Sequence, residues 1–212
     1  MAKPNKNKPF RDRVREQSRD VYRTAILEAA EVCFSQGLDA TKISSIAAQA
    51  GVAVGTVYNY FENKDEIFRS LLDLRGAGFL AALDDIFFDP SAPLDELRSL
   101  ITASLAYIES HRATYAVFVE LGGKSEGSIR RIGGEQAQSL YEEYLERFTR
   151  AIAGAQEANL VDAEVGVDDL VALLTGAMNG VIARWIGTED STPLVRRSSL
   201  IFDHFLSGAR TR

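Results

Sequence analysis

The sequence of 212 residues predicts an all-α protein with about nine helices. Apolar side chains recur every three or four residues along most of the chain, which is the period of an amphipathic helix. No segment alternates between apolar and polar residues for long enough to predict a β-strand. Glycines and prolines separate the helical stretches, for example at Gly37 and Pro90, where a helix does not easily continue.

The first predicted helix covers 18–36 and ends at Gly37. Two short helices follow within 43–60, joined by a turn at Gly51, and Thr41 is the expected N-cap of the first of them. These three helices form a predicted amino-terminal domain.

A longer run of helices follows. Asn63 is the expected N-cap of the fourth helix, with Glu66 at the reciprocal third position. A glycine-containing stretch at 122–134 interrupts the run. The predicted helices cover 64–88, 93–110, 113–121, 135–158, 168–186 and 193–207.

The segment 43–60 has the spacing of a helix-turn-helix. Ala47 is small enough for two helices to approach closely, Gly51 can adopt the left-handed conformation that ends a helix, and Val57 places an apolar side chain between the helices. The spacing alone is compatible both with an ordinary helical hairpin and with a DNA-binding motif. The expected inner faces consist of Ile43, Ile46 and Ala50 in the first helix and of Val54, Val57 and Phe61 in the second.

The outer face of this segment is polar and carries no acidic residue before Glu62. Hydroxyls, amides and a glycine without carboxylates suit a groove lined with phosphates. The side chains off the apolar face are Ser44, Ser45, Gln49, Gly55, Thr56, Tyr58 and Asn59.

Residues 20–68 resemble the amino-terminal domain of the TetR (tetracycline-repressor-like) transcriptional regulators. The matching pieces are A-A-E-V-C-F-S-Q-G-L-D-A-T, I-A-A-Q-A-G-V-A and G-T-V-Y-N-Y-F-E-N-K-D-E-I-F. The last piece is the most specific, because it combines glycine, aromatic residues and lysine at fixed spacings. The rest of the chain resembles the family only in length and helical character.

The resemblance implies roles for individual residues. Base edges would be contacted by Thr56, Tyr58 and Asn59, with Gly55 allowing close approach of the backbone. Phosphates would be contacted by Thr41, Ser44, Tyr60 and Lys64. Tyr60 has an alternative role in packing against the first helix.

Ala53 and Val54 depart from the family pattern, since many relatives have a serine and a polar residue there. This departure puts the capping of the third helix in doubt.

The charge distribution is uneven, although the formal net charge is −6. Residues 1–19 contain seven Lys and Arg against two Asp and Glu, whereas residues 76–212 contain twelve against twenty. We expect residues 1–17 to be a flexible basic arm, either a solubilising tail or a segment that adds DNA contacts. A net acidic protein can bind DNA if its basic groups lie on one face.

Nothing in the sequence predicts a secretory signal or a membrane span, since no run of eighteen apolar residues occurs. The single cysteine, Cys33, is an expected core residue of the first helix. These observations predict a cytoplasmic protein without disulfides.

The carboxy-terminal two thirds are rich in aromatic residues, most of which we expect in the core. The resemblance implies an effector cavity among helices four to eight, and apolar walls with a few hydroxyls are usual for small-molecule sites. His111 is expected at a helix end and not in the cavity. The predicted lining residues are Phe79, Leu83, Tyr107, Phe118, Tyr144 and Met178.

The last two helices are the predicted dimer interface. Gly176 and Gly180 lie four residues apart on one helix face and permit close helix approach, either to a partner or to an internal helix. The final helix has more apolar surface than one face requires. The resemblance implies a four-helix bundle with the partner subunit, to which Leu200, Ile201 and Phe205 would also contribute.

The sequence thus predicts a basic arm at 1–17, a DNA-binding domain at 18–63 and a ligand-binding and dimerisation domain at 64–212. As the resemblance implies, the chain would be a dimeric repressor that binds a palindromic operator and is released by an apolar or amphipathic effector. An activator on the same fold and a small-molecule carrier are the alternatives. We expect no cofactor, no metal and no catalysis, since two histidines and one cysteine offer no metal-ligand spacing.

Overall fold

The computed structural model describes residues 10–86, 89, 91–123, 126–188 and 192–209. Within these residues the protein is all-α and contains no strand, which confirms the predicted fold class. A 3₁₀ turn, Leu194–Arg197, precedes the last helix. The helices are α1 (Phe10–Phe34), α2 (Ile43–Ala50), α3 (Val54–Tyr58), α4 (Lys64–Asp84), α5 (Pro93–Ser110), α6 (Arg112–Glu120), α7 (Glu126–Glu157), α8 (Val167–Ile186) and α9 (Ser198–Ala209).

Two helices begin earlier than predicted. α1 begins at Phe10, so residues 10–17, expected in the flexible arm, are helical. No glycine or proline occurs between Phe10 and Gly37, and Arg, Glu and Gln are good helix formers. α7 begins at Glu126 and contains a break at Gly134, where φ is 81° and ψ is −168°. The first nine residues of the predicted arm and the predicted end of the fourth helix at Phe88 lie outside the described residues.

The chain divides into two compact units, an amino-terminal unit ending at Leu71 and a carboxy-terminal unit beginning at Leu72. The boundary therefore lies inside α4 and not at its start, where the sequence placed it. The reason is packing, because Ile67, Phe68 and Leu71 are buried in the core of the amino-terminal unit. The first two turns of α4 thus belong to that unit.

The core of the amino-terminal unit is built from one face of each of its helices. Phe34 of α1 and Phe68 of α4 meet edge to face, with ring centroids 5.7 Å apart. Cys33, expected in this core, is only half-buried, and partial burial raises the pKa of its thiol. The buried side chains are Ile26, Leu27, Ala29, Ala30, Phe34, Leu38, Ile46, Ala47, Val57, Phe61, Ile67, Phe68 and Leu71.

The carboxy-terminal unit has its own core, formed by one face each of α5, α7, α8 and α9 together with parts of α4 and α6. Arg112 at the start of α6 stacks on Trp185 and donates to the carbonyl oxygens of Trp185 and Ile186 at the end of α8. A cation at a helix carboxy terminus is favourable because it neutralises the partial negative charge of the last carbonyls. This contact fastens α6 to α8.

The turn between α2 and α3 is closed by Gly51, as the spacing predicts. Gly51 has φ 69° and ψ 30°, the left-handed conformation. Its N–H donates to the carbonyl oxygen of Ala48, and the N–H of Val52 donates to that of Ala47. This pair of bonds is a Schellman motif, which satisfies the last carbonyls of α2.

Gly51→Ala should destabilise the protein by about 1–2 kcal/mol, because an L side chain is strained in the left-handed conformation. A Cβ at Gly51 would have no atom within 4 Å, so the loss would come from backbone strain alone. Gly55→Ala is the control, since Gly55 has equally open surroundings but lies inside α3. Urea denaturation should show destabilisation for Gly51→Ala only, and equal behaviour of the two variants would contradict the assignment.

Candidate functional site

The outer face of α3 presents the residues predicted to contact bases. Gly55 and Asn59 are exposed, Tyr58 is 53% exposed and Thr56 is half-buried. Val57 points the other way and is fully buried. These four residues therefore form one accessible surface, and their contact with bases stays a prediction.

Val54 does not belong to the inner face on which the sequence placed it. Its side chain is 41% exposed, because α3 begins at this residue and its first turn extends beyond the core. Ala53 is the N-cap of α3 and makes no side-chain capping bond. The start of α3 thus lacks the hydroxyl that usually satisfies the first amides of a helix.

Thr41 has a different role from the two predicted for it. The N-cap of α2 is Lys42, one residue later. The Thr41 side chain is buried, and its hydroxyl oxygen lies 2.9 Å and 2.8 Å from the carbonyl oxygens of Cys33 and Gly37. Because a hydroxyl has one hydrogen to donate, this hydroxyl is used within the protein and not on a phosphate.

Lys64, at the start of α4, lies on the same side of the unit as the segment before α2. Its Nζ donates to the carbonyl oxygens of Asp39 and Thr41, at 3.2 Å and 3.1 Å. An ammonium has three N–H donors, so two carbonyl bonds leave one for a phosphate. Tyr60 is half-buried, which permits either of its two predicted roles, and Ser44 is exposed.

The capping prediction for α4 is confirmed with one change. The Asn63 carbonyl oxygen Oδ1 accepts a hydrogen bond from the N–H of Glu66 at 2.9 Å. The Glu66 carboxylate accepts from the N–H of Glu62 at 2.6 Å, one residue before the expected partner. This pair of bonds stabilises the bend between α3 and α4, which places Lys64.

Lys42 is a cation that the sequence reasoning missed. It is exposed and precedes the first turn of α2, where amide groups lack intrahelical acceptors. With the N-cap predicted at Thr41, Lys42 was expected inside the helix and not at its start. The N-cap is Lys42 because Thr41 is buried, and the residue type of Thr41 does not reveal that burial.

The carboxy-terminal unit contains a partly open cavity of about 150 Å³ with mostly apolar walls. Its volume matches that of a cavity that holds one benzene-sized group and is below the roughly 300–1,000 Å³ of typical ligand pockets. The cavity is lined by Leu72, Arg75, Gly76, Phe79, Ile108, Thr114, Tyr115, Phe118, Val119, Gly123, Ile129, Ala137, Leu140, Tyr141, Tyr144, Asn179, Ile182 and Ala183.

Three of the six predicted lining residues, Phe79, Phe118 and Tyr144, do line this cavity. Leu83 and Met178 do not, and both are almost fully buried in the core of the unit. Tyr107 does not line it either; it packs behind Phe79, with ring centroids 5.3 Å apart. His111 is the residue between α5 and α6, as predicted, and its ring stacks on Tyr107.

The polar residues of the cavity were mostly missed. Arg75 lies on α4, where the two predicted lining residues, Phe79 and Leu83, are aromatic and aliphatic. Thr114 is buried on α6, and Asn179 lies beside the small residues of α8. Helical periodicity identifies the inner face of each helix, but it does not show where five such faces leave a gap. The missed polar residues are Arg75, Thr114, Tyr115, Tyr141 and Asn179.

Tyr144 is the most buried tyrosine of the cavity wall. Desolvation raises the pKa of its phenol well above the ordinary value, and the neighbouring Tyr141 raises it further. Its hydroxyl lies 4.0 Å from the sulfur of Met178. The cavity therefore presents a neutral phenol at physiological pH.

The exposed side of α8 carries the two predicted glycines. A Cβ at Gly176 or Gly180 would have no atom within 4 Å, so both lie on open surface. Leu173 on α8 and Leu200 on α9 are 65% and 48% exposed. The prediction for Ile201 is wrong, because this side chain is buried in the core.

Phe205 of α9, also predicted for the interface, is half-buried and packs against the core.

Among the described helices, only α8 is long and apolar enough to cross a membrane. Seven of its side chains, including Trp185, are buried within the protein, as in the core helix of a globular unit. Its exposed apolar residues are Ala172, Leu173, Gly176, Ala177 and Gly180.

Within the described part of the chain, no three His, Cys, Asp or Glu side chains form a group that could hold a metal ion.

Comparison with known proteins gives a consistent result. A family model described as bacterial regulatory proteins, tetR family, matches residues 26–71. The fatty acid metabolism regulator protein of Bacillus subtilis is 24% identical over 200 residues, covering 92% of this chain and 99% of that protein. The HTH-type transcriptional repressor KstR2 of Mycobacterium tuberculosis is 36% identical over 101 residues, covering 45% of this chain and 48% of that protein.

Two solved structures show the same fold. The transcriptional regulator FadR from Bacillus subtilis in complex with stearoyl-CoA has a TM-score of 0.72 at 21% identity, covering 88% of this chain and 99% of that one. The ketosteroid transcriptional regulator KstR2 of Mycobacterium tuberculosis has a TM-score of 0.70 at 20% identity, covering 90% and 95%. At this identity the likeness shows the fold alone.

The raised pKa of Tyr144 predicts a loss of stability at high pH. Above the ordinary tyrosine pKa of 10.0, the unfolded chain releases this proton while the folded protein keeps it, so stability falls as pH rises. The contribution to the slope is up to about 1.4 kcal/mol per pH unit. Urea unfolding between about pH 9 and pH 11 should show a shallower loss for Tyr144→Phe than for the unaltered protein.

Tyr22→Phe, which removes a phenol from the exposed part of α1, is the control and should behave as the unaltered protein. Equal slopes for Tyr144→Phe and the unaltered protein would contradict the buried, neutral state of Tyr144.

Proposed function

Because this chain belongs to the TetR family of bacterial transcriptional regulators, we propose that it is a ligand-responsive repressor. It binds an operator in DNA and releases it when a small molecule occupies the cavity. One observation carries this proposal: α4 contributes to both parts of the function. Its first turns belong to the core of the unit that contains the helix-turn-helix, and its next turns provide Leu72, Arg75, Gly76 and Phe79 to the cavity wall.

The DNA side of the proposal uses the exposed face of α3. Thr56, Tyr58 and Asn59 read base edges, and Gly55 lets the backbone approach them. Lys64, Lys42 and the start of α2 hold phosphates, which fix the orientation of the reading helix. The hydroxyl of Ser44 and, on its exposed side, Tyr60 add further phosphate contacts.

The protein acts as a homodimer in this proposal. The exposed stripe on α8 and α9, with Gly176 and Gly180 at its centre, packs against the same stripe of a second copy. Such an interface is isologous, so the two reading helices are related by a twofold axis. They would bind two half-sites about one DNA turn or a multiple apart, and the operator would be a palindrome.

The effector is proposed to be apolar or amphipathic. The apolar walls of the cavity support this, as do two similar structures, one a regulator in complex with stearoyl-CoA and one a ketosteroid regulator. An effector as large as stearoyl-CoA would exceed the volume of the resting cavity, which is about 150 Å³. It therefore binds better to a wider state, and this difference in affinity is what can shift the protein away from DNA.

As a bacterial DNA-binding regulator, the protein would act in the cytoplasm. An activator would use the same surfaces, and the position of the operator relative to the promoter distinguishes the two. A carrier of small molecules would use the cavity alone and would bind no DNA.

The direct test of function is a gel shift with the DNA that flanks the gene itself. The unaltered protein should bind specifically, and Asn59→Ala should weaken binding to the best site by about 1–3 kcal/mol while relaxing base preference at one position. Gln36→Ala, which removes an exposed amide outside α3, is the control. Absence of any DNA binding would favour the carrier.

The phosphate contacts are tested by salt dependence. Lys64→Ala and Lys42→Ala should each weaken binding to all sequences alike and reduce the salt slope by about 1. Fluorescence anisotropy at several salt concentrations measures both quantities. An unchanged slope with weaker binding would mean that Lys64 acts only by holding the segment before α2.

The dimer is tested by filling the space at the glycines. Gly180→Leu should raise the dimer dissociation constant at least tenfold, since an inserted side chain in a packed interface costs about 1–3 kcal/mol and occurs twice per dimer. The same change should not destabilise the monomer, whose surface is open there. Sedimentation velocity measures the dissociation constant, with Ala81→Leu on the exposed side of α4 as the control.

A further inference from the structure

Two glycines lie in the middle of α4, where the helix lines the cavity. Glycine inside a helix is destabilising relative to alanine, so its presence needs a reason. A Cβ at Gly76 would lie 2.9 Å from Cδ1 of Leu140, and a Cβ at Gly78 would lie 2.5 Å from the hydroxyl oxygen of Tyr107. Both distances are too short for a side chain without displacement of its neighbour.

The absence of a side chain at Gly78 leaves room for a hydroxyl that forms a hydrogen bond between two helices. The hydroxyl of Tyr107 on α5 donates to the backbone carbonyl oxygen of Arg75 on α4, at 2.9 Å. The Tyr107 ring also contacts Phe79, which lines the cavity. Tyr107 therefore holds the backbone of the cavity wall from behind and has no place in the cavity itself.

We propose that Tyr107 is a positioning residue for the response to the effector. Its hydroxyl, accommodated at Gly78, fastens α4 to α5 in the narrow state of the cavity. An effector larger than the resting cavity must move the α4 wall, and that movement breaks the bond to Arg75. The link from this movement to DNA release rests on the function proposed above.

The hydrogen bond from Tyr107 to the carbonyl oxygen of Arg75 determines how small a fraction of the protein has the wide cavity. An apparent dissociation constant equals the intrinsic constant divided by the fraction of protein in the competent state. Loss of this one hydrogen bond should raise the population of the rare wide state about fivefold, whereas the population of the dominant narrow state changes little. Removal of the Tyr107 hydroxyl should therefore change the affinity for effector strongly. It should change the affinity for DNA in the absence of effector only weakly.

Tyr107→Phe keeps the ring and removes the bond. Hydrogen exchange of a peptide covering 72–84 in the full chain should accelerate about fivefold in this variant. Tyr144→Phe is the matched control, because its ring also contacts Phe79 but its hydroxyl faces Met178. Unchanged exchange in Tyr107→Phe, or equal acceleration in both variants, would overturn the proposal.

Binding to the wide state is measured with anilinonaphthalene sulfonate, an apolar fluorescent probe with more than one ring. We expect Tyr107→Phe to bind the probe about fivefold more tightly than the unaltered protein. Ser110→Ala, which removes a hydroxyl bonded only within α5, should leave the affinity unchanged. Equal probe affinity in all three proteins would overturn the role in the response while leaving a structural role.

A double-mutant cycle tests the fit at Gly78. In the unaltered protein, Gly78→Ala should lower the melting temperature, because its Cβ collides with the Tyr107 hydroxyl. With Phe at 107, the next atom of the ring lies at 3.5 Å, an ordinary contact, so the same change should raise the melting temperature by about 2–4 °C. The same sign in both backgrounds would contradict the contact.

The DNA measurement separates this proposal from the function on which it rests. Operator affinity without effector should change less than about twofold in Tyr107→Phe, with an unchanged salt slope. If the unaltered protein binds no DNA, the proposed function fails. The exchange, probe and melting results would then still decide whether Tyr107 holds the cavity wall.

Discussion

Three buried side chains at the start of α4 anchor this helix in the core of the amino-terminal unit. Ile67, Phe68 and Leu71 lie in the core of the amino-terminal unit, and each buried side chain of this size contributes about 1.5–3 kcal/mol. They fix the first two turns of α4 in that core, where Phe68 meets Phe34 of α1. The next turns of the same helix carry Leu72, Arg75, Gly76 and Phe79, which line the cavity of the carboxy-terminal unit.

Polar contacts around this core set orientation more than stability. Lys64 donates to two backbone carbonyls before α2, and Arg23 donates to Ser70 while its guanidinium lies over Phe61. These groups are partly exposed, so each bond adds only about 0.5–1.5 kcal/mol. Their value is geometric. Lys64 joins the start of α4 to the segment before α2, and Arg23 joins α1 to α4.

Glycines serve three different physical purposes in this chain. Gly51 supplies a backbone conformation, with φ at 69° and open space around it. Gly78 supplies room inside the protein, since a Cβ there would meet the Tyr107 hydroxyl. Gly176 and Gly180 supply a smooth outer surface. Only the first purpose follows from local sequence, because the other two depend on what lies opposite each residue.

Spacings of a few residues along one chain segment are enough to predict the helical class, the turn at Gly51, the cap at Asn63 and the outward face of α3. Contacts between distant segments explain why Thr41 is buried, why Val54 is exposed, why Ile201 belongs to the core and why Tyr107 lies behind the cavity wall. Periodicity shows which face of a helix is apolar. Whether that face meets a neighbour, a gap or solvent is set by segments distant in sequence, whose packing no local pattern contains.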